Sequence, residues 1–178
     1  MKFMIASDIH GSATYCELLL ERFEREGADR LILLGDLLYH GARNPLPEGY
    51  STLECARLLN GVKENILAVR GNCDSEVDEM VLEFPIDAKF AFLPYGNRVL
   101  YFTHGHKMPA CLKKDDALFC GHFHVPAFEK REEGYFYVNC GSVGIPKENS
   151  PHSALLIEEG QLCWLDLETG GIYRYETL

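Results

Sequence analysis

Three short apolar segments, each ending directly at a polar motif, constrain the fold of this chain most strongly. Residues 2–7, 30–34 and 66–69 have the length and continuous apolar character of buried strands. The stretches between them have helical apolar spacing. Ser51 suits the N-cap of the second helix, and Gly27 suits the end of the first. Strands that alternate with helices predict a parallel sheet with right-handed crossovers.

The second half of the chain no longer alternates strands with helices. Two apolar segments flank residues 94–97 and predict a hairpin with its turn there. Further short strands are predicted at 117–120, 125–131, 135–139, 154–158, 162–167 and 172–175. We therefore predict an α/β fold in one domain, residues 1–178, with a mostly antiparallel second sheet packed on the first. An apolar edge strand at 162–167 would allow a homo-oligomer, and Trp164 within it is expected in the core or an interface.

Composition narrows the class of protein. The chain has 47% hydrophobic and 25% charged residues, which are ordinary globular values. No apolar run approaches the roughly 20 residues of a membrane span, so we expect no membrane association. Seven cysteines, an odd number without a CxxC pair, favour reduced thiols in a cytoplasmic protein over disulfides. The net charge of −10 argues against an extended nucleic-acid-binding face.

Polar motifs follow the three apolar segments: Asp8-x-His10, Gly35-Asp36 and Gly71-Asn72-Cys73-Asp74. In parallel sheets, functional groups gather at the carboxyl ends of strands, where these motifs lie. Two further motifs, His104-Gly105-His106 and Gly121-His122-Phe123-His124, occur in the second half. Each histidine pair alone is as typical of a protein surface as of a site. Together, a mixed Asp, His and Asn set suits Mn²⁺, Fe²⁺ or Zn²⁺, and the missing thiolate set disfavours structural zinc.

The ordered series DxH, GD, GNxD, HGH and GHxH resembles the calcineurin-like metallophosphoesterase superfamily. Within it, residues 35–41 and 71–78 are most similar to small bacterial phosphodiesterases, and the resemblance extends through residues 139–143. It implies a four-layer α/β/β/α arrangement, with two facing mixed sheets flanked by helices. It also implies a small phosphodiester substrate hydrolysed by a metal-bound hydroxide.

The resemblance further implies two divalent cations, Mn²⁺ in the first place, with Fe²⁺, Zn²⁺ or Ni²⁺ as alternatives. One cation would bind Asp8, His10, Asp36 and His124. The other would bind Asp36, Asn72, His104 and His122. Asp36 would bridge them, because a carboxylate can bind two cations, while Asn72 fills a site without adding charge. Two cations about 3.5–4 Å apart can lower the pKa of a shared water.

Cys73 departs from the wider superfamily, which usually reads GNH followed by an acidic residue. That histidine is thought to bind substrate or protonate the leaving group. Losing a general acid typically costs about 10²–10⁴-fold in rate. We therefore predict better turnover of activated phosphodiesters than of alkyl monoesters, with a simple packing role for Cys73 as the alternative. By analogy with the acid after GNH, Asp74 would orient Asn72 or the site loop.

Other candidates have weaker sequence support. His106 is expected near phosphate or solvent beside the metals, which completes a catalytic set of Asn72, Cys73, Asp74 and His106. His40 and Arg43 follow Asp36 and are substrate-binding candidates, since Arg suits bidentate phosphate contact; a solvated loop is the alternative. The rival functions are a protein-interaction scaffold like the Vps-type retromer subunits, a phosphomonoesterase or nucleotide phosphatase, and a nuclease.

Overall fold

Eleven strands and two α-helices make up the computed structural model, which describes residues 1–178. The first half contains β1 Lys2–Ala6, α1 Ala13–Glu26, β2 Arg30–Leu33, α2 Thr52–Asn60 and β3 Ile66–Ala68. The second half contains β4 Ala91–Tyr95, β5 Arg98–Phe102, β6 Ala117–Cys120, β7 Ala127–Lys130, β8 Phe136–Asn139, β9 Ser153–Glu158, β10 Gln161–Asp166 and β11 Ile172–Thr177. The strands form a six-stranded sheet, β11-β10-β9-β1-β2-β3, and a five-stranded sheet, β4-β5-β6-β8-β7.

The parallel pairing of β1, β2 and β3 confirms the sheet predicted from the first half. Local signals define the two crossover helices. The hydroxyls of Ser12 and Ser51 accept the N–H groups of Tyr15 and Glu54 at 3.3 and 3.4 Å and cap α1 and α2. Helix α1 ends at Gly27, whose φ of 61° is left-handed.

The prediction assigned three strands of the second half to the wrong sheet. Strands β9, β10 and β11 join the first sheet, because β9 pairs antiparallel with the free side of β1. A nearly continuous buried run in β9 suits this central position. Strand β10 is therefore interior rather than an edge, which removes the basis for the expected oligomer contact. In the second sheet, β5, β6 and β8 are parallel, not antiparallel.

The predicted hairpin turn was too long. Pro94 and Tyr95 belong to β4, and only Gly96 and Asn97 connect it to β5. Proline is tolerated in β4 because this strand lies at the edge of its sheet, where no neighbour needs its missing N–H.

The two sheets pack face to face around a buried apolar layer. Phe3 and Ile5 of the first sheet belong to the same cluster as Phe102 and Phe119 of the second. Trp164 is fully buried in this layer, as predicted for a core residue, and its indole N–H donates to the carbonyl of Asn139 at 2.9 Å.

Both helices pack on the opposite face of the six-stranded sheet, in a cluster that includes residues of α1 and α2. The outer face of the five-stranded sheet packs instead against loop residues such as Leu112. The two facing mixed sheets with flanking helices confirm the predicted fold class, with both α-helices on the six-stranded sheet. All seven cysteines are free thiols. Neither helix combines the length and the apolar character needed to cross a membrane.

Candidate metal centre and its cavities

The five polar motifs meet at the carboxyl ends of β1, β2, β3, β5 and β6. The backbone is unusual at this edge, because five of the residues have left-handed φ values. These are Asp8 at 57°, His10 at 51°, Asp36 at 55°, His122 at 66° and His124 at 62°. Such a conformation costs an L-residue roughly 1–2 kcal/mol, and it clusters at functional sites because the surrounding fold enforces it.

One cluster of ligand atoms surrounds the Asp8 carboxylate. Its Oδ1 lies 3.5 Å from His10 Nε2 and 3.4 Å from His124 Nε2. Both Asp8 Oδ1 and His10 Nε2 are buried without a hydrogen-bond partner. Buried polar atoms without partners cost free energy, and a cation would remove this cost here. The residues present therefore fit a divalent ion.

A second cluster surrounds His104. Its Nε2 lies 3.3 Å from Asp36 Oδ2, 3.0 Å from Asn72 Oδ1 and 3.2 Å from His122 Nδ1. Asp36 Oδ2 is also 3.7 Å from His10 Nε2. The Asp36 carboxylate thus stands between the two clusters, where one oxygen faces both.

Backbone carbonyls orient the imidazoles. The Nδ1 atoms of His10 and His104 each lie 2.8 Å from a carbonyl oxygen, that of Tyr39 and that of Leu34 respectively. His124 Nδ1 contacts the carbonyl of Ile145 in the same way. When Nδ1–H donates to a carbonyl, the lone pair lies on Nε2, which can then bind a metal ion. Metal-binding histidines commonly make such a hydrogen bond through their other ring nitrogen.

The carboxylates and imidazoles of the centre shift one another's pKa values. Burial alone would raise the pKa of Asp8, but the nearby imidazoles of His10, His104 and His124 hold it well below its usual range. Burial would lower the pKa of His104, yet the hydrogen bond with Asp36 and the charge of Asp8 raise it to about 9. Burial and the neighbouring His104 lower the pKa of His122. The carboxylates therefore create a strong preference for positive charge.

Asp74 holds the strand ends together and does not face the ligand atoms. Its buried carboxylate accepts the backbone N–H groups of Asp36 at 2.9 Å, Leu37 at 2.8 Å and Gly71 at 2.7 Å. Gly71 must be glycine, since an added Cβ would lie 2.1 Å from Asp36 Oδ1. Asp74 therefore fixes the loop that carries Asp36 against the loop that carries Asn72.

Cys73 lines the cavity over the centre. Its backbone N–H donates to Asp36 Oδ1 at 2.8 Å, and its thiol lies 3.2 Å from the side-chain nitrogen of Asn72. Burial and the Asp36 carboxylate raise the pKa of the Cys73 thiol to about 12.

The cavity over the centre has a volume of about 520 Å³ and lies between the ligand residues and the loop after Asp36. Arg43 lines it, but His40 does not; the His40 ring packs against Tyr39 and Tyr50. Sequence reasoning missed Tyr39, Asn44 and Lys147, which also line it. Lys147 belongs to none of the five polar motifs and lies four residues after the 139–143 stretch, so only the fold could have identified it.

His106 faces a second cavity, of about 430 Å³, on the other side of Asn72. Its ring centroid is 5.4 Å from that of His104, and burial together with the charges of His104 and Lys107 lowers its pKa. Of the predicted catalytic set, Asn72 and Cys73 line the main cavity, whereas Asp74 and His106 do not.

The facing mixed sheets and the carboxylate–imidazole centre define a phosphoesterase. The profile of the calcineurin-like phosphoesterase superfamily domain matches residues 1–161, and the chain belongs to this family. Its sequence is 46% identical over 177 residues to phosphodiesterase YfcE of Escherichia coli strain K12, covering 97% of this chain and 95% of YfcE.

Solved structures agree with this assignment. A phosphoesterase structure, YfcE of E. coli, matches with a TM-score of 0.94 at 43% identity, over 99% of each chain. Vps29 of Entamoeba histolytica, solved in complex with Zn²⁺, matches with a TM-score of 0.63 at 18% identity, over 100% of this chain and 98% of that one. The Vps29 likeness shows a shared fold only.

Proposed function

We propose that this protein is a phosphodiesterase that uses two divalent cations. The observation that carries the proposal is the Asp36 carboxylate, whose Oδ2 lies 3.7 Å from His10 Nε2 and 3.3 Å from His104 Nε2. One oxygen that faces two donor clusters suits a bridging ligand. When bound, the cations would activate a water molecule as the nucleophile and neutralise charge on the phosphoryl oxygens.

The ligand assignment follows the two clusters. Asp8, His10 and His124 would hold one cation together with Asp36. Asn72, His104 and His122 would hold the other, again with Asp36. Three imidazoles with fixed Nδ1 contacts keep their Nε2 atoms aimed at the centre. Mn²⁺ is our first choice, because each cation would have two oxygen ligands and two imidazoles, a mixed set that suits such an ion; Fe²⁺, Zn²⁺ and Ni²⁺ are the alternatives.

Two cationic side chains of the main cavity would bind the substrate. Arg43 and Lys147 both line it, so a phosphoryl group at the centre would have a positive charge from each. The planar guanidinium of Arg43 suits two parallel contacts to phosphoryl oxygens, while Lys147 acts as a point charge. Tyr39 adds an aromatic face for an organic ester group.

The thiol of Cys73 supports a preference for good leaving groups. The imidazoles that line the main cavity belong to the metal-ligand candidates His10, His122 and His124, and His40 and His106 lie outside its lining, so none of them replaces the missing histidine. An alkoxide leaving group would lack an imidazolium proton donor there, whereas an aryloxide leaves without one. The name of the similar YfcE protein, a phosphodiesterase, supports a diester substrate.

The test compares a bis-aryl phosphate with its mono-aryl counterpart, using metal-stripped protein with and without Mn²⁺. We expect Mn²⁺-dependent cleavage of the diester, loss of this activity in Asp36→Asn, and retention in Asp115→Asn, a control that removes a half-buried carboxylate paired with Lys130 and outside both cavities. Metal binding without hydrolysis of any ester would contradict the proposal and favour a protein-binding scaffold.

Cys73→His tests the leaving-group argument separately, with Cys73→Ser as the matched control. We expect the histidine variant to gain monoester turnover relative to diester turnover. An unchanged ratio would show that Cys73 only fills space, and strong monoester turnover by the wild type would favour the phosphomonoesterase alternative.

A further inference from the structure

The second cavity, on the far side of Asn72, has an unusual charge for this protein. Arg70, Lys89, Lys107 and His106 all line it, and none of its lining residues is hydrophobic. The whole chain carries a formal net charge of −10. Three permanent cations therefore line one cavity of an acidic protein, and a local excess of positive charge is the property that attracts an anionic group.

Carboxylates do not neutralise the two lysines. The lysine ion pairs of this protein are formed by Lys2, Lys63 and Lys130, so Lys89 and Lys107 have no acidic partner. Both side chains are exposed and free to turn toward a ligand.

Arg70 is the fixed element of the cavity wall. Its guanidinium donates to the carbonyl of Asp74 at 3.3 Å and pairs with Glu79 at 3.4 Å. Its backbone N–H donates to the carbonyl of Ala88 at 2.7 Å, which fastens the segment carrying Lys89 to the end of β3. The cavity is therefore built from anchored backbone.

Two acidic residues also line this cavity. Asp74 is buried, and both its oxygens already accept backbone N–H groups. Asp87 is exposed and unpaired, so it partly offsets the lysines. Arg70 is paired with Glu79, so the exposed part of the lining carries two unpaired lysines, Lys89 and Lys107, against the one exposed carboxylate of Asp87 and is positive.

Asn72 lies on the lining of both cavities, so a ligand in the second cavity would be a direct neighbour of the metal centre. We propose that the second cavity binds a further phosphate group of the substrate, joined through one ester arm to the phosphodiester at the metal centre. The preferred substrates would thus be phosphodiesters that carry a terminal phosphate. This inference rests on the proposed function.

The test uses two substrates with the same leaving group. Ethyl p-nitrophenyl phosphate and 2-(phosphonooxy)ethyl p-nitrophenyl phosphate both release nitrophenolate, and only the second carries a terminal phosphate. We expect Lys89→Gln and Lys107→Gln each to lower kcat/KM for the phosphorylated diester about fivefold relative to the ethyl diester. The double variant should lower this ratio about 20-fold, because the two charges act on one group.

Two further variants sharpen the test. Asp87→Asn should raise the ratio, because it removes the opposing charge. Lys130→Gln, on β7 outside both cavities, should leave the ratio unchanged. Raising the ionic strength should reduce the wild-type preference toward that of the double variant.

The inference is overturned if the lysine variants change both substrates equally. A second result would also overturn it. Added inorganic phosphate would change the rate of ethyl diester hydrolysis by the wild type, and the lysine variants would remove this effect without changing the ratio of the two substrates. The cavity would then bind a free anion and not a phosphate group of the substrate. Failure of the wild type to hydrolyse either diester would instead reject the proposed function.

Discussion

Replacing Asp74 should loosen the whole centre, although its carboxylate contacts the backbone and not the side chains of the ligand residues. Its carboxylate accepts three buried backbone N–H groups. In Asp74→Asn, the amide oxygen can still accept from Asp36 and Gly71, but the amide nitrogen then faces the N–H of Leu37. A lost hydrogen bond to a charged group is worth roughly 1.5–3 kcal/mol, and an unpaired buried donor costs roughly 1–3 kcal/mol.

Burial offsets part of this loss. It raises the pKa of Asp74 despite the three donors, which means that the buried charge is itself costly. We therefore expect Asp74→Asn to lower the free energy of unfolding by about 3 kcal/mol, and Asp74→Ala, which leaves all three donors unpaired, by at least about 4 kcal/mol.

The measurement is urea denaturation of the metal-free protein, since a bound cation would add its own stabilisation. Asp29→Asn, which changes one exposed hydrogen bond, should cost less than about 1 kcal/mol. Calorimetric Mn²⁺ titration of the Asp74 variants should show weaker binding, because Asp36 and Asn72 lose their common anchor. Losses below about 1 kcal/mol for both Asp74 variants would refute this reasoning.

Three further predictions concern other parts of the fold. Gly71→Ala should abolish diester hydrolysis, since the added Cβ would lie 2.1 Å from Asp36 Oδ1, while Gly171→Ala, whose Cβ would meet its nearest neighbour at 3.4 Å, should remain active. Trp164→Phe should cost about 2 kcal/mol in urea unfolding, because it removes the buried indole donor and core volume. Burial and the Glu168 carboxylate raise the pKa of Tyr15 to about 12. This contact should stabilise the protein below about pH 10 and be lost toward pH 12, so the melting-temperature difference between wild type and Tyr15→Phe should shrink over that range.

Much of the first half was predictable, because local signals there agree with the tertiary structure. Continuous apolar strands, Ser51 at the start of α2 and Gly27 after α1 marked these elements in the sequence. The second half was harder. The sequence of β9 does not indicate which strand it pairs with. It joins the first sheet because one side of β1 is free to pair with it.

The sequence by itself determined the family, the parallel start of the sheet and the residues that converge at its carboxyl edge. These follow from apolar periodicity and from the order of the polar motifs along the chain. The tertiary structure alone decided which polar atoms face each other. Left-handed backbone at Asp36 and His124 aims their side chains, and distant segments bring Lys147 to one cavity and Lys89 to the other. Such placements depend on packing between segments far apart in the chain, and no local pattern records them.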